Sequence, residues 1–178
     1  MQEYIYTVSK KKFFPTNPNI DDIDISDIAH ALSYIPRANG HFKTFHSVAQ
    51  HSIECCLEAI KRNYTTRVCL ACLLHDGAES YMSDVTTPVK DKLDIYKKYE
   101  DNLINMIYQK YIGKLTDEEI SLVYKVDKDL LYHEFYHYTG IELGSKTIIY
   151  SKPKFEFEEF SNVKQKFLEL FNELIKKL

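Results

Sequence analysis

A histidine and an aspartate stand side by side, His75-Asp76, at the end of the apolar run Val68 to Leu74. Packing explains neither: a carboxylate there must be paired or bind a cation, and an imidazole needs partners for two nitrogens. The doublet therefore asks for a metal. Further along, Ile120, Val123, Asp127, Leu130 and Glu134 share one helical face, which sets two carboxylates seven residues apart in an otherwise apolar stripe. Without a partner such carboxylates would protonate or weaken the helix, and a shared cation is one way to keep them. His51 lies at the rim of another apolar face. Two imidazoles and two carboxylates, His51, His75, Asp76 and Asp127, then come from three helices. This mixed nitrogen and oxygen set suits one borderline divalent ion: Mn, Co, Fe, Ni or Zn. The competing reading, that each residue is separately satisfied in core or surface, is natural for a lone histidine and weaker for the doublet together with Asp127.

The elements that must position these residues are mainly helical. Tyr4 to Val8, the Ser9-Lys10-Lys11-Lys12 turn and Phe13-Phe14 before Pro15 and Pro18 read as a hairpin. Ser26 can cap a short helix through Leu32, and Pro36 to Gly40 is a loop. A second helix runs from His46-Ser47 to Arg62, with Val48, Ser52, Cys55 and Ala59 on one face, and a third from Thr66 to about Asp76. A polar stretch breaks the pattern before a fourth helix, near Lys90 to Gly113, with Leu93, Tyr96, Leu103, Ile107 and Tyr111 on one stripe. The fifth opens on the capping box Thr116-Asp117-Glu118-Glu119 and stops at Gly140. Thr147 to Tyr150 and Phe155 to Phe157 alternate like a short ribbon. Phe160, Val163, Phe167, Leu170, Leu174 and Leu178 mark a last amphipathic helix. The expected fold is all-α: a bundle of five to six helices with a small N-terminal β-hairpin and a short C-terminal β-ribbon, in one domain over residues 1–178.

Composition narrows the function classes. The 178 residues are 44% apolar, enough for one soluble domain with a real core. No apolar stretch approaches the ~20 residues needed to cross a bilayer, and Met1-Gln2-Glu3-Tyr4 is no leader, so the expected compartment is the cytoplasm. A net charge of −3 with no basic run argues against nucleic-acid polymers as partners while leaving a single nucleotide open. Cys55, Cys56, Cys69 and Cys72 fall in helix-periodic apolar segments without zinc-knuckle turns and read as core. Tyr- and Phe-rich stripes and the last helix suit a homo-oligomer and packing within the chain equally well.

The run His75-Asp76-Gly77-Ala78-Glu79, continuing through Asp84 and Pro88 to Lys90, resembles the H-D-x-x-E-x-x-x-x-D-x-x-x-P-x-K signature of the HD-domain superfamily. Bacterial 5′-deoxynucleotidases and phage-type nucleotide phosphohydrolases share it. Arg37-Ala38-Asn39-Gly40-His41 and Phe45 to Ser52 resemble two further segments of the phage-type branch, and Asp127 falls where the superfamily's last aspartate is expected. The likeness covers roughly residues 1 to 140. It implies one divalent metal held by His51, His75, Asp76 and Asp127, and a nucleotide substrate cleaved by a 5′-nucleotidase or dNTP triphosphohydrolase reaction. In that setting Glu79 orients or deprotonates the attacking water, Asp84 serves the leaving oxygen, and Arg37 and Lys90 hold phosphate. Ala38 departs from the bulky residue with which the deoxynucleotidases screen the ribose, so sugar preference is open, as is mono- against triphosphate; His41 receives no role.

His133-Glu134-Phe135-Tyr136-His137 is a literal H-E-x-x-H, the helix motif of zinc proteases. The third metzincin ligand would fall on Leu143, and no methionine follows Met106 to supply the Met-turn. The motif is therefore expected to be structural. A third possibility is a metal or nucleotide-binding regulatory module without turnover, against which Glu79, Asp84, Arg37 and Lys90 argue together.

Overall fold

The computed structural model describes residues 3–144 and 147–178. Strands β1 (Ile5–Tyr6) and β2 (Lys12–Phe13) pair antiparallel with Ile5 opposite Phe13. The helices are α1 (Ile25–Tyr34), α2 (Val48–Lys61), α3 (Thr66–Leu74), the single turns α4 (Glu79–Met82) and α5 (Thr87–Lys90), then α6 (Asp94–Tyr111), α7 (Asp117–Thr139) and α8 (Phe160–Ile175). Among the described residues these are six helices of nine residues or more, an all-α fold with one small hairpin. None is long and apolar enough to cross a membrane.

Local chemistry sets most boundaries. Ser47 and Gln50 form a capping box at the start of α2, and Thr116 and Glu119 form another at the start of α7. Gly140 ends α7 in the left-handed conformation that glycine adopts without penalty. Helix α1 starts two residues earlier than Ser26 suggests, because the Asp24 carboxylate accepts the Ser26 amide and takes the cap itself.

Helix α3 explains the apolar run without periodicity: Val68 through Leu74 are all buried, with α2 along one side and α6, α7 and α8 on the others. Helix α8 lies on α1, α2 and α3, burying Val163, Phe167, Phe171 and Leu174, so the last helix is used for packing within the chain. The hairpin is fastened by Phe13, whose ring stacks on Tyr81 at 3.8 Å between centroids, while the Tyr81 hydroxyl accepts the Asp24 amide. Directly after the doublet, Gly77 is required by close approach: a Cβ there would lie 2.8 Å from the Leu74 carbonyl oxygen and 3.2 Å from Ile107.

Two expectations need correction. The fourth helix is broken: α5 closes at Lys90 and α6 begins at Asp94, with a turn between them. The C-terminal ribbon does not form: among the described residues the sheet is the β1–β2 hairpin alone, and 147–157 is irregular chain. Its polar backbone groups go to side chains instead. The Tyr150 and Ser151 amides both donate to Glu58 Oε2 at 2.8 Å, Gln50 donates to the Glu156 carbonyl, and Tyr138 to that of Phe155. Lys152 and Phe155, both at positive φ, turn the chain where a strand would have continued.

Glu58 is the centre of that anchorage. It is fully buried on α2, accepts from Arg62 Nε at 2.7 Å, and shares Arg62 with Asp129 of α7 at 2.9 Å. Glu58→Ala should cost about 3 kcal/mol in urea denaturation, because it leaves two amides without an acceptor and a largely buried guanidinium with Asp129 as its one remaining carboxylate. It should also open 147–151 to proteolysis. Burial works against the Glu58 charge, yet Arg62 and the Ser151 contacts outweigh it and hold the carboxyl below its ordinary range. With the folded pKa below the unfolded one, this stabilisation is present above the unfolded value and lost as pH falls through the folded one. The gap between wild type and variant should therefore narrow in acid.

Candidate metal centre

Three helices bring their chemistry to one buried point. His51 projects from α2 with no exposure; its Nδ1 donates to Glu134 Oε2 at 2.8 Å, which turns Nε2 toward Asp127 Oδ1 at 2.9 Å. His75 follows α3 as its C-cap, and its Nδ1 donates to the Cys72 carbonyl at 2.8 Å. Its Nε2 then faces Asp76 Oδ2 at 3.3 Å and Asp127 Oδ1 at 3.6 Å. Both rings are thus locked by an outer hydrogen bond with Nε2 inward, the arrangement by which a second partner orients a ligating imidazole.

The residues fit a cation. His75 Nε2 and Asp76 Oδ2 are buried without a hydrogen-bond partner, a costly state for a histidine and a carboxylate that a bound ion would relieve. One donor atom each from His51, Cys55, His75 and Asp127 lies within 4.8 Å of every other. Metal–donor bonds of about 2.0 Å for nitrogen or oxygen and 2.3 Å for sulfur place neighbouring tetrahedral donors roughly 3.3–3.5 Å apart. The separations above fall close to that range. The cluster could therefore hold a metal ion.

Asp76 stands beside this set, on the side of Arg37, whose Nη1 lies 3.5 Å from its Oδ2. Arg37 also donates from Nε to Glu134 Oε1 at 3.2 Å, so Glu134 braces both an imidazole and the guanidinium. The arginine's backbone amide is tied to the His46 carbonyl, and the next three residues, Ala38, Asn39 and Gly40, are all left-handed. Two of those are not glycine, and each costs roughly 1–2 kcal/mol of backbone strain. The tight loop swings Arg37 back over α7.

Charge is distributed as these contacts dictate. Burial opposes ionisation of Glu134, but Arg37 and His51 hold it down at about 2. Burial likewise opposes the charge on Asp127, and hydrogen bonds from His51 and His75 pull its pKa well below the usual value. Both imidazoles are raised: His51 against burial and Arg37 by Cys55, Glu134 and Asp127, His75 against burial by Asp76 and Asp127. Glu79, at the first position of α4, shifts opposite to the Glu134 and Asp127 carboxyls. Burial, and then the Asp76 and Asp84 carboxylates, push it well above the carboxylate range.

Glu79 Oε2 is buried and unpaired, while Oε1 lies 3.8 Å from Lys90 Nζ. Lys90 itself donates to Glu100 of α6 at 2.7 Å. Asp84 is half-buried and follows Ser83, whose φ of 72° and ψ of 158° belong to a region normally reserved for glycine. That backbone is clamped from both sides: the Ser83 amide donates to the Glu79 carbonyl at 2.7 Å, and the Tyr96 hydroxyl donates to the Ser83 carbonyl at 2.6 Å.

The H-E-x-x-H histidines point elsewhere. His133 Nε2 donates to the Thr147 carbonyl at 2.7 Å, and His137 packs on Tyr138 and Phe155. Only the motif's glutamate reaches the cluster, as the partner of His51. His133→Ala should therefore keep full metal stoichiometry, whereas Glu134→Ala should lower metal affinity about 10- to 100-fold, as loss of an outer hydrogen-bond partner does. Calorimetric titration with cobalt separates the two. Sequence reading missed Cys55, which periodicity assigned to the core, and the bracing role of Glu134; the one signal for Cys55 was its place four residues, one helical turn, beyond His51.

No protein-family model matches the chain. Over 108 residues, 61% of this chain, it is 38% identical to an uncharacterized Escherichia coli protein, YfdR, of which it covers 58%. Over 100 residues, 53% of this chain, it is 34% identical to an uncharacterized protein of Rhodobacter capsulatus, of which it covers 51%. The chain thus spans little more than half the length of these curated relatives, and neither carries an assigned activity.

Proposed function

We propose that this chain is a divalent-metal-dependent phosphohydrolase acting on nucleotides, of the HD-domain type. One observation carries the reading: His51, His75, Asp76 and Asp127 gather at a buried point where an arginine and a carboxyl of raised pKa adjoin. A pure metal-binding module needs neither neighbour. His51, His75, Asp76 and Asp127 would hold the cation, one of Mn, Co, Fe, Ni or Zn. When bound, it supplies Lewis-acid polarisation of a phosphoryl oxygen and lowers the pKa of a water.

The chain's own groups do the rest. Arg37, anchored through Nε on Glu134, offers its terminal nitrogens to a phosphate, the planar fork suited to that task. Lys90, steadied by Glu100, adds positive charge against the equatorial oxygens. Glu79, when ionised, takes a proton from the attacking water, and its raised pKa makes it a stronger base than an ordinary carboxylate. Asp84, aimed by the clamped Ser83 backbone, serves the leaving oxygen. Of the four metal-holding residues, Asp127 is the most exposed to solvent, at 31% of its side chain. Ala38, half-buried next to Arg37, puts no bulk against the sugar, so discrimination between ribose and deoxyribose falls to other contacts. The substrate is a nucleotide in the cytoplasm, not a nucleic-acid polymer.

The test is a panel of ribo- and deoxynucleoside mono- and triphosphates with added Mn or Co, the products identified. Release of inorganic phosphate or of intact triphosphate supports the proposal and names the reaction. Silence across the panel, with metal shown to be bound, would make the chain a binding module.

A further inference from the structure

We infer that the Cys55 thiol is a metal donor, so that this centre carries sulfur among its ligands and discriminates between metals through it. The inference rests on the metal centre just described. Cys55 lies one turn after His51 on α2, and its Sγ is 3.5 Å from His51 Nε2, the nitrogen that faces the cluster. That is the separation expected for a nitrogen and a sulfur bound to one tetrahedral ion, roughly 3.5 Å. The same Sγ is within 4.8 Å of the donor atoms of His75 and Asp127.

The other cysteines supply the contrast. Cys56, Cys69 and Cys72 are equally buried and equally free, yet among the described residues none joins a group of donors able to hold an ion. Cys69 points to the Tyr64 carbonyl, away from the centre. Packing alone would accept any small apolar residue at position 55; a cysteine there places a soft donor beside two imidazoles and a carboxylate. Such a set favours zinc, cobalt or ferrous iron over manganese and magnesium, which prefer oxygen. Asp76 on the Arg37 side remains a further oxygen donor.

The test is a cobalt(II) titration of the full chain with bound cobalt counted by atomic emission. The wild type should bind one cobalt and develop an intense near-ultraviolet sulfur-to-cobalt charge-transfer band. Cys55→Ser should keep cobalt, at affinity lowered tenfold or more, and lose the band, while Cys72→Ser keeps it. X-ray absorption of the zinc-loaded wild type, which needs no variant, should show a sulfur neighbour at about 2.3 Å. Stoichiometric cobalt with no charge-transfer band, a band that survives Cys55→Ser, or zinc without sulfur would overturn the inference and leave the centre intact. Failure of the wild type to bind cobalt or zinc at all would overturn the centre and the proposed function with it.

Discussion

Asp127→Ala is expected to abolish metal binding and turnover together while the fold survives. Among the described residues Asp127 is the one carboxylate that meets both imidazoles, at 2.9 Å from His51 Nε2 and 3.6 Å from His75 Nε2. Removing even an outer partner of a ligand costs about 10- to 100-fold in metal affinity, so losing this shared carboxylate should cost more than 100-fold. The packing penalty is small, because the side chain is a third exposed and its helix is held by Val123, Val126 and Leu130. Far-ultraviolet dichroism should be native, with metal content near zero and hydrolysis at background. A variant that binds metal normally would remove Asp127 from the ligand set.

Glu79→Gln should do the opposite on metal and the same on rate. The amide keeps the shape of this buried side chain and cannot accept the water's proton, so the metal stays and turnover falls about 10²–10⁴-fold. A pH profile adds an independent reading. Burial and the neighbouring Asp76 and Asp84 carboxylates raise the Glu79 pKa, so the group ionises only above the ordinary carboxylate range. As a base it acts ionised, and wild-type turnover should climb with pH through that elevated value. In Glu79→Gln that limb should vanish. Parental rates in the variant would strip Glu79 of its role.

What was legible in the sequence, and what was not, follows from the range of each interaction. His75-Asp76 stood out because charge at the end of an apolar run is expensive wherever the helix ends up. The start and stop of α7 were legible for a local reason, since Thr116, Glu119 and Gly140 act within one turn of themselves. The shared face of Asp127 and Glu134 was also visible as a seven-residue spacing, but their partners were not: Glu134 meets His51 83 residues away, and spacing names a face without naming what lies opposite. Cys55 was hidden by the same helical periodicity that made it look like core, and it is core by burial. The ribbon failed for a different reason. Alternation in Thr147 to Tyr150 describes exposure and not pairing, and the amides of Tyr150 and Ser151 are taken by Glu58 of α2. The left-handed Ala38-Asn39 pair has no local signature except the glycine after it.

A crystal grown with excess cobalt and measured for anomalous scattering puts the convergence of these helices to the most direct test. One peak should appear between His51 Nε2, His75 Nε2 and the carboxylates of Asp76 and Asp127, with Glu134 still on the far nitrogen of His51. A cobalt-loaded crystal with no peak there, or with its peak between His133 and His137, would contradict the account.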